Sequence, residues 1–245
     1  MLKTERTDRI LETVRINKYV TVEQLVSKFH YSPATIRRDL TYLAEMGLVK
    51  KSYGGVSISD ERPNIVREHE NTSEKIKLCK YAERYIKDGD TIFIDGTTTT
   101  YFLGEILLKK KKITVLTTNL KLAMFLGEKG VNCFVTGGHV HDTNYLEGVY
   151  TLELIKKMRF DVAFFSVGSV SEHGEYSSHE GMWIFMQQVF ARSKLNVLIC
   201  DEKKLKIKSN KYLGDLADFN VVLLNEPISE NIIKKFDKTQ MIVVE

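Results

Sequence analysis

Ser32-Pro33-Ala34-Thr35-Ile36-Arg37-Arg38-Asp39-Leu40 reads as the opening of a short helix. The Ser32 hydroxyl suits an N-cap, and Pro33 stands at the first helical position, where its missing N–H costs nothing. Ile36, Leu40 and Leu43 repeat at helical spacing and form an inner stripe, which turns Thr35, Arg37 and Arg38 outward near the helix start. Met46-Gly47 ends the helix. In that position an arginine can fork onto guanine in a major groove, and neighbouring polar groups can reach phosphate. The free N–H groups of the helix start add a partial positive charge. Taken alone, two adjacent arginines are a solvated helix face paired with Asp39 or Glu45, so the flanking sequence has to decide.

Upstream, Ile10, Leu11, Val14 and Ile16 mark an apolar face on a helix from about Thr4 to Asn17. Thr21 caps a second helix, Val22 to Phe29, and His30-Tyr31 makes the tight turn before Ser32. Downstream, Leu48 to Val56 reads as two short strands. Lys50, Lys51 and the Tyr53-Gly54-Gly55 tip form a wing facing a phosphate backbone. Up to Ile58 the chain carries ten basic and six acidic residues, so the whole formal excess of +4 lies in its first quarter. Segregated charge of this kind fits one segment that meets a polyanion. Agreement between caps, stripes, wing and charge favours a winged helix-turn-helix over residues 1–58, with double-stranded operator DNA as its partner.

Residues 59–73, polar and containing Pro63, read as a linker. From residue 74 to 245 helical and strand patterns alternate. The expected strands include Thr91 to Ile94, Ile113 to Leu116, Asn132 to Val135, Val162 to Val167, Val197 to Cys200, Val221 to Leu224 and Met241 to Val244. Several are continuous apolar runs, as expected where helices cover both faces of a mostly parallel sheet. The fold class is therefore α/β, with the winged domain joined to a larger α/β domain.

Three polar segments follow strands in this second domain: Asp95-Gly96-Thr97-Thr98-Thr99, Thr117-Thr118-Asn119 and Thr136-Gly137-Gly138. Hydroxyls and backbone N–H groups at a helix start can cradle an anion, although any one such loop is usually only a polar cap. Three together place a small-ligand crevice at the carboxyl edge of the sheet.

Composition narrows the classes further. With 43% hydrophobic and 28% charged residues the chain is globular. The opening Met1 to Arg6 run lacks the apolar stretch of a secretory signal, and no run is long enough to span a membrane. A cytoplasmic location is expected. Cys79, Cys133 and Cys200 read as buried small hydrophobes. His139, His141, His173 and His179 lack a convincing companion set for a metal, and no cofactor is called for. Glu172, Glu175, Glu180 and Asp95 are carboxylates available to an acid–base enzyme, but none falls in an assignable catalytic pattern.

The N-terminal segment resembles the DeoR family of bacterial transcriptional regulators. The family's V-x-x-L-x-x-x-F block appears as Val22 through Phe29, its S-x-x-T-I-R-R-D-L block as Ser32 through Leu40, and its wing as Gly47-Leu48-Val49 and Gly54-Gly55-Val56. From Glu74 to about Glu226 the chain resembles the family's sensor domain, itself similar to ribose-5-phosphate isomerase. The resemblance implies a phosphate loop at Asp95 to Thr99, with Thr97 where glycine is usual. It also implies effector contacts at Thr118-Asn119, Gly137-Gly138 and Gly168, with Lys204 as the cationic partner. The pattern departs where a glutamate and a lysine are usual, near Met182-Trp183 and Gln187. The implied function is a homo-oligomeric repressor of carbohydrate-metabolism genes, relieved by a small phosphorylated sugar. An isomerase-like enzyme, or a regulator whose sensor domain only dimerises, are the competing readings.

Overall fold

A computed structural model describes residues 3–17, 19–45, 48–52, 54–58, 71–141 and 145–244. It divides into two compact units, Met1–Arg67 and Glu68–Glu245. Most of the expected linker, together with Tyr53 and Met46-Gly47, lies outside the described residues.

In the first unit, α1 (Lys3–Asn17), β1 (Tyr19–Thr21), α2 (Val22–Phe29), α3 (Pro33–Glu45), β2 (Val49–Ser52) and β3 (Gly55–Ile58) follow in order. The strands form an antiparallel sheet in the order β1-β3-β2. Ile10, Val14, Leu25, Ile36, Leu40 and Leu43 meet in one core with Val20, Val49 and Val56. Ile16, expected on the inner face of α1, is 71% exposed. It stands two residues past Val14, about 200° around the helix, whereas Ile10 and Val14 share a face at four-residue spacing. β1 was not expected. Three residues are too few to show strand alternation, and Tyr19–Thr21 become a strand only by pairing with the distant Gly55–Ser57.

The second unit begins with α4 (Thr72–Ala82), so Thr72 and Ser73, expected in the linker, are helical. Then come β4 (Thr91–Ile94), α5 (Gly104–Leu107), β5 (Thr114–Thr117), α6 (Leu120–Glu128), β6 (Asn132–Val135), β7 (His139–His141) and β8 (Tyr145–Glu147). The chain continues through α7 (Val149–Lys156), β9 (Val162–Phe165), β10 (Ser169–Val170), β11 (Glu175–Ser177), α8 (Glu180–Phe190) and β12 (Asn196–Cys200). It closes with α9 (Glu202–Lys206), β13 (Gly214–Asp215), β14 (Val221–Leu224), α10 (Glu230–Lys235) and β15 (Gln240–Val243).

Seven strands form a parallel sheet in the order β15-β14-β12-β9-β4-β5-β6. Along β4, Ile92 and Ile94 join one buried cluster and Phe93 the other, so both faces of the sheet are covered. The chain lays down β4, β5 and β6 outward, then returns to β9 on the other side of β4. That reversal opens a crevice between the carboxyl ends of β4 and β9, the position where open α/β sheets bind ligands.

The expected strands and most helices are present. The β7–β8 pair and the small antiparallel sheet β10-β11-β13 were not expected, because their two- and three-residue strands are too short to carry a period. Cys79 and Cys200 are buried as expected, but Cys133 is only half-buried, because β6 is the edge strand of the sheet.

Candidate functional site

In the first unit, Thr21 and Gln24 cap α2 reciprocally. The Gln24 N–H donates to the Thr21 hydroxyl at 3.2 Å, and the Thr21 N–H donates to Gln24 Oε1 at 2.8 Å. His30 ends α2 in the left-handed conformation, with φ 56°. Ser32 then accepts the Thr35 N–H at 3.2 Å, and its hydroxyl lies 3.0 Å from that of Thr35. Pro33, Ala34, Arg37 and Arg38 are exposed and Thr35 is half-buried. The arginines are not paired to Asp39. That carboxylate is fully buried and takes two hydrogen bonds from Arg6, which leaves the exposed face of α3 to its arginines.

The wing lies beside that face. The Val22 N–H donates to Gly54 O at 3.1 Å, tying the wing turn to the start of α2. Lys50 and Lys51 are exposed on β2, yet they differ: Lys51 Nζ donates to the Thr41 hydroxyl of α3 at 2.6 Å. A groove lined by Glu23, Arg37, Thr41, Lys51 and Gly54 separates wing and helix. Tyr53, expected at the wing tip, lies outside the described residues.

In the second unit the threonine-rich loop is organised around Asp95, which is completely buried. Its Oδ1 accepts the Thr97 N–H at 3.1 Å, the Thr97 hydroxyl at 2.7 Å and the Thr100 hydroxyl at 2.6 Å. Its Oδ2 accepts the Ser166 N–H at 2.7 Å from the end of β9. Burial pushes this carboxyl above its ordinary value, against the pull of those donors. Asp95, expected to touch an effector, is thus a sealed organiser that joins the ends of β4 and β9.

Two lysines converge on the loop. Lys204 Nζ donates to the Thr99 hydroxyl at 3.0 Å and also to the Ser166 hydroxyl, with Asp201 at 3.8 Å. Lys75, on α4 and 4% exposed, donates to the Thr98 hydroxyl at 3.2 Å. Lys75 was not among the residues expected at this site. Its signal was present: three and four residues before Leu78 and Cys79, it occupies the apolar stripe of its helix, where a lysine needs a polar reason to be.

Asn119 caps α6 by accepting the Leu122 N–H, and donates to Thr97 O at 3.3 Å. The hydroxyl of Thr118 is buried without a partner among the described residues, as is that of Thr136 at the end of β6. Gly96 lies under the ring of Tyr145: an added Cβ would stand 2.3 Å from the ring and 3.1 Å from the Thr118 hydroxyl. The ends of β4, β5, β9 and β12 therefore meet at one place. Gly137 and Gly138 belong to its margin, where the Thr151 hydroxyl donates to Gly137 O at 2.7 Å and Gly138 backs onto Glu147 O. Gly168 faces β11, donating to Ser177 O at 2.8 Å.

The other candidates are scattered. Glu172 and His173 are exposed, Glu175 is held by the Ser171 hydroxyl, and His139 is exposed. No three His, Cys, Asp or Glu side chains among the described residues are placed to hold a metal ion. No helix among them is long and apolar enough to cross a membrane.

Residues 6–62 match the family model of the DeoR-like helix-turn-helix domain, and residues 70–226 that of the DeoR C-terminal sensor domain. The chain is 28% identical over 235 residues to the glycerol-3-phosphate regulon repressor of Escherichia coli (strain K12), covering 93% of this chain and 92% of the relative. It is 28% identical over 249 residues to the lactose phosphotransferase system repressor of Lactococcus lactis subsp. lactis, covering 97% of each. With the HTH-type transcriptional regulator IolR of Bacillus subtilis (strain 168) it shares 26% over 247 residues, 98% of each. Among solved structures, a ribose 5-phosphate isomerase from Plasmodium falciparum aligns with a TM-score of 0.39 and 16% identity, over 55% of this chain and 52% of that one. The chain belongs to the DeoR family, and its helix-turn-helix and sensor domains are those of a DNA-binding transcriptional regulator.

Proposed function

We propose that this regulator is a repressor of carbohydrate-metabolism genes that leaves double-stranded operator DNA when a small phosphorylated sugar binds its sensor domain. The observation that carries the effector half is the convergence of Lys75 and Lys204 on the adjacent hydroxyls of Thr98 and Thr99. Two ammonium groups beside a hydroxyl-rich loop make a site for a dianion, and a lysine supplies point charge without demanding a forked geometry. Thr97, Thr118, Asn119, Gly137 and Gly138 would surround the rest of the ligand, while Asp95 and Gly96 shape the loop. The names of the relatives, repressors of glycerol-3-phosphate and lactose systems, support the regulatory half.

On the DNA, Arg37, Arg38 and Thr35 read the major groove. Thr21, Ser32, Pro33 and Ala34 approach the backbone from the helix starts, and Lys50 with the Gly54 turn meets phosphate from the wing. One winged domain offers a small interface, so the chain acts as a homo-oligomer on repeated half-sites. Its place is the cytoplasm, and it needs no catalytic step.

The test is a fluorescence titration of the full chain with a duplex selected from a random pool, repeated in a panel of sugar phosphates. At least one should weaken duplex binding and raise the melting temperature in its absence. Failure to select any duplex would remove the DNA reading. Duplex binding indifferent to every phosphate would leave the sensor unit an assembly role.

A further inference from the structure

Tyr145 is buried at the carboxyl edge of the sheet, 3% exposed. Strand β8 holds it there: the Leu146 N–H donates to Thr118 O at 2.9 Å, and Asn119 and Tyr145 form an antiparallel bridge. The ring lies against Gly96, in the turn that opens the threonine loop, where an added Cβ would stand 2.3 Å from it. It also packs against His179, which caps α8, and against Phe185, with ring centres 6.3 and 6.0 Å away. His179 and Phe185 in turn line a pocket of about 240 Å³, together with Leu152 and Ile184. Tyr145 is thus a wall, with the threonine loop on one side and that pocket on the other.

The wall stands close to the two lysines. Gly96 and Thr98 are two residues apart, so their α-carbons are separated by at most roughly 7 Å, and Lys75 donates to the Thr98 hydroxyl. A phosphate held by Lys75 and Lys204 takes up most of that span. What is left beside the ring is room for a short carbon chain, and it is polar. The Thr118 hydroxyl is buried there without a partner among the described residues, 3.1 Å from where a Cβ on Gly96 would stand. Native structures seldom leave a buried hydroxyl unbonded, and an oxygen on a short ligand supplies the missing bond. A hexose would run into the Tyr145 ring, which close packing on both sides keeps from yielding.

We infer that Tyr145 sets the size of the effector: its ring confines the sensor to triose phosphates and excludes hexose phosphates. The inference rests on the reading of the threonine loop as the phosphate site. A ligand of that length turns its phosphate toward Lys75 and Lys204 and an oxygen toward Thr118. Shortening the side chain at position 145 opens the loop onto the pocket lined by His179 and Phe185, and so lengthens the site.

The test is calorimetric titration of the full chain with inorganic phosphate, dihydroxyacetone phosphate and glucose 6-phosphate. The triose phosphate should bind at least about tenfold tighter than the hexose phosphate, the scale of one hydrogen bond that only the short ligand makes. Tyr145→Ala should erase that gap by admitting the hexose, whereas Tyr145→Phe, which keeps the ring, should preserve it. The wild-type comparison needs no variant, and Tyr145→Leu, shorter but still apolar, serves where the alanine variant unfolds. A wild type that binds the hexose phosphate as tightly as the triose phosphate overturns the size limit. A gap that survives in the alanine or leucine variant overturns its assignment to Tyr145. No binding of phosphate or of either sugar overturns the phosphate reading, and this inference with it.

Discussion

Arg6 and Asp39, separated by 33 positions, form a buried two-point ion pair with distances of 2.6 and 3.0 Å that pins α1 to α3, the helix that carries Arg37 and Arg38. The Arg6 guanidinium also stands 4.9 Å from the centre of the Tyr31 ring. The sequence places Asp39 beside two exposed arginines, but its partner is neither of them. The pair ties α3 to α1, so the acidic residue in the middle of α3 acts on stability.

Removing one partner of a buried pair strands the other, at a cost of about 3 kcal/mol. Asp39→Ala should lower the stability of the winged unit by that order, whereas Arg37→Ala should leave it unchanged. Urea unfolding followed by far-ultraviolet dichroism reads both. An unchanged midpoint in Asp39→Ala would show that the pair contributes nothing net.

Arg37 and Arg38 are exposed on α3, free to reach a groove. Replacing either with alanine should cost roughly 1–3 kcal/mol of operator affinity if the lost contact is a forked base contact, and relax selectivity at that base pair. Titration of wild type and variants against operator and single-base mismatches checks this. Wild-type affinity in both variants removes α3 from the interface.

The two wing lysines should separate. Lys50→Ala should lower the slope of log affinity against log salt by about 0.9, the signature of one phosphate contact. Lys51 is bonded to Thr41, so Lys51→Ala should also loosen the wing from α3. Thr41→Val should reproduce the loosening with the salt slope intact. Equal slopes in all three variants and wild type would deny the wing a phosphate contact.

In the sensor unit, Lys204→Ala should abolish phosphate-dependent thermal stabilisation while leaving operator affinity near wild type. Lys75→Met should do the same, keeping most of the buried stem in place. The single tryptophan, Trp183, belongs to this unit and reports its melting by fluorescence. Full phosphate stabilisation in both variants would contradict the cradle.

Asp95 makes a prediction with a sign. Burial raises its folded pKa, so the folded chain holds the proton to higher pH than the unfolded chain. Its contribution to stability is full below the unfolded value and is lost as pH rises through the folded one. Asp95→Asn removes the titration, and its amide nitrogen must face one of the surrounding donors. The stability of wild type minus variant should therefore be largest at acid pH and narrow as pH rises. A difference that widens with pH refutes the assignment, and Trp183 fluorescence in urea at stepped pH reads it.

What the sequence determined by itself was local or periodic. Thr21 with Gln24 and Ser32 with Thr35 are caps between residues three apart, so their chemistry is written in adjacent letters. The apolar runs of β4, β9, β12 and β14 announce a sheet covered on both faces, and the hydroxyl-rich segments after β4 and β5 mark its carboxyl edge. The positions of Thr98 and Thr118 followed from that edge, and that of Lys204 from the family resemblance. Tertiary structure alone decided which distant groups meet. It paired Tyr19–Thr21 with β3, gave Asp39 to Arg6, and turned Lys75 from a helix-stripe residue into a neighbour of Thr98. It also sealed Asp95 beneath the loop that its position had offered to a ligand. None of these follows from spacing, because a contact between remote residues depends on how whole elements pack and which chain ends the sheet order brings side by side.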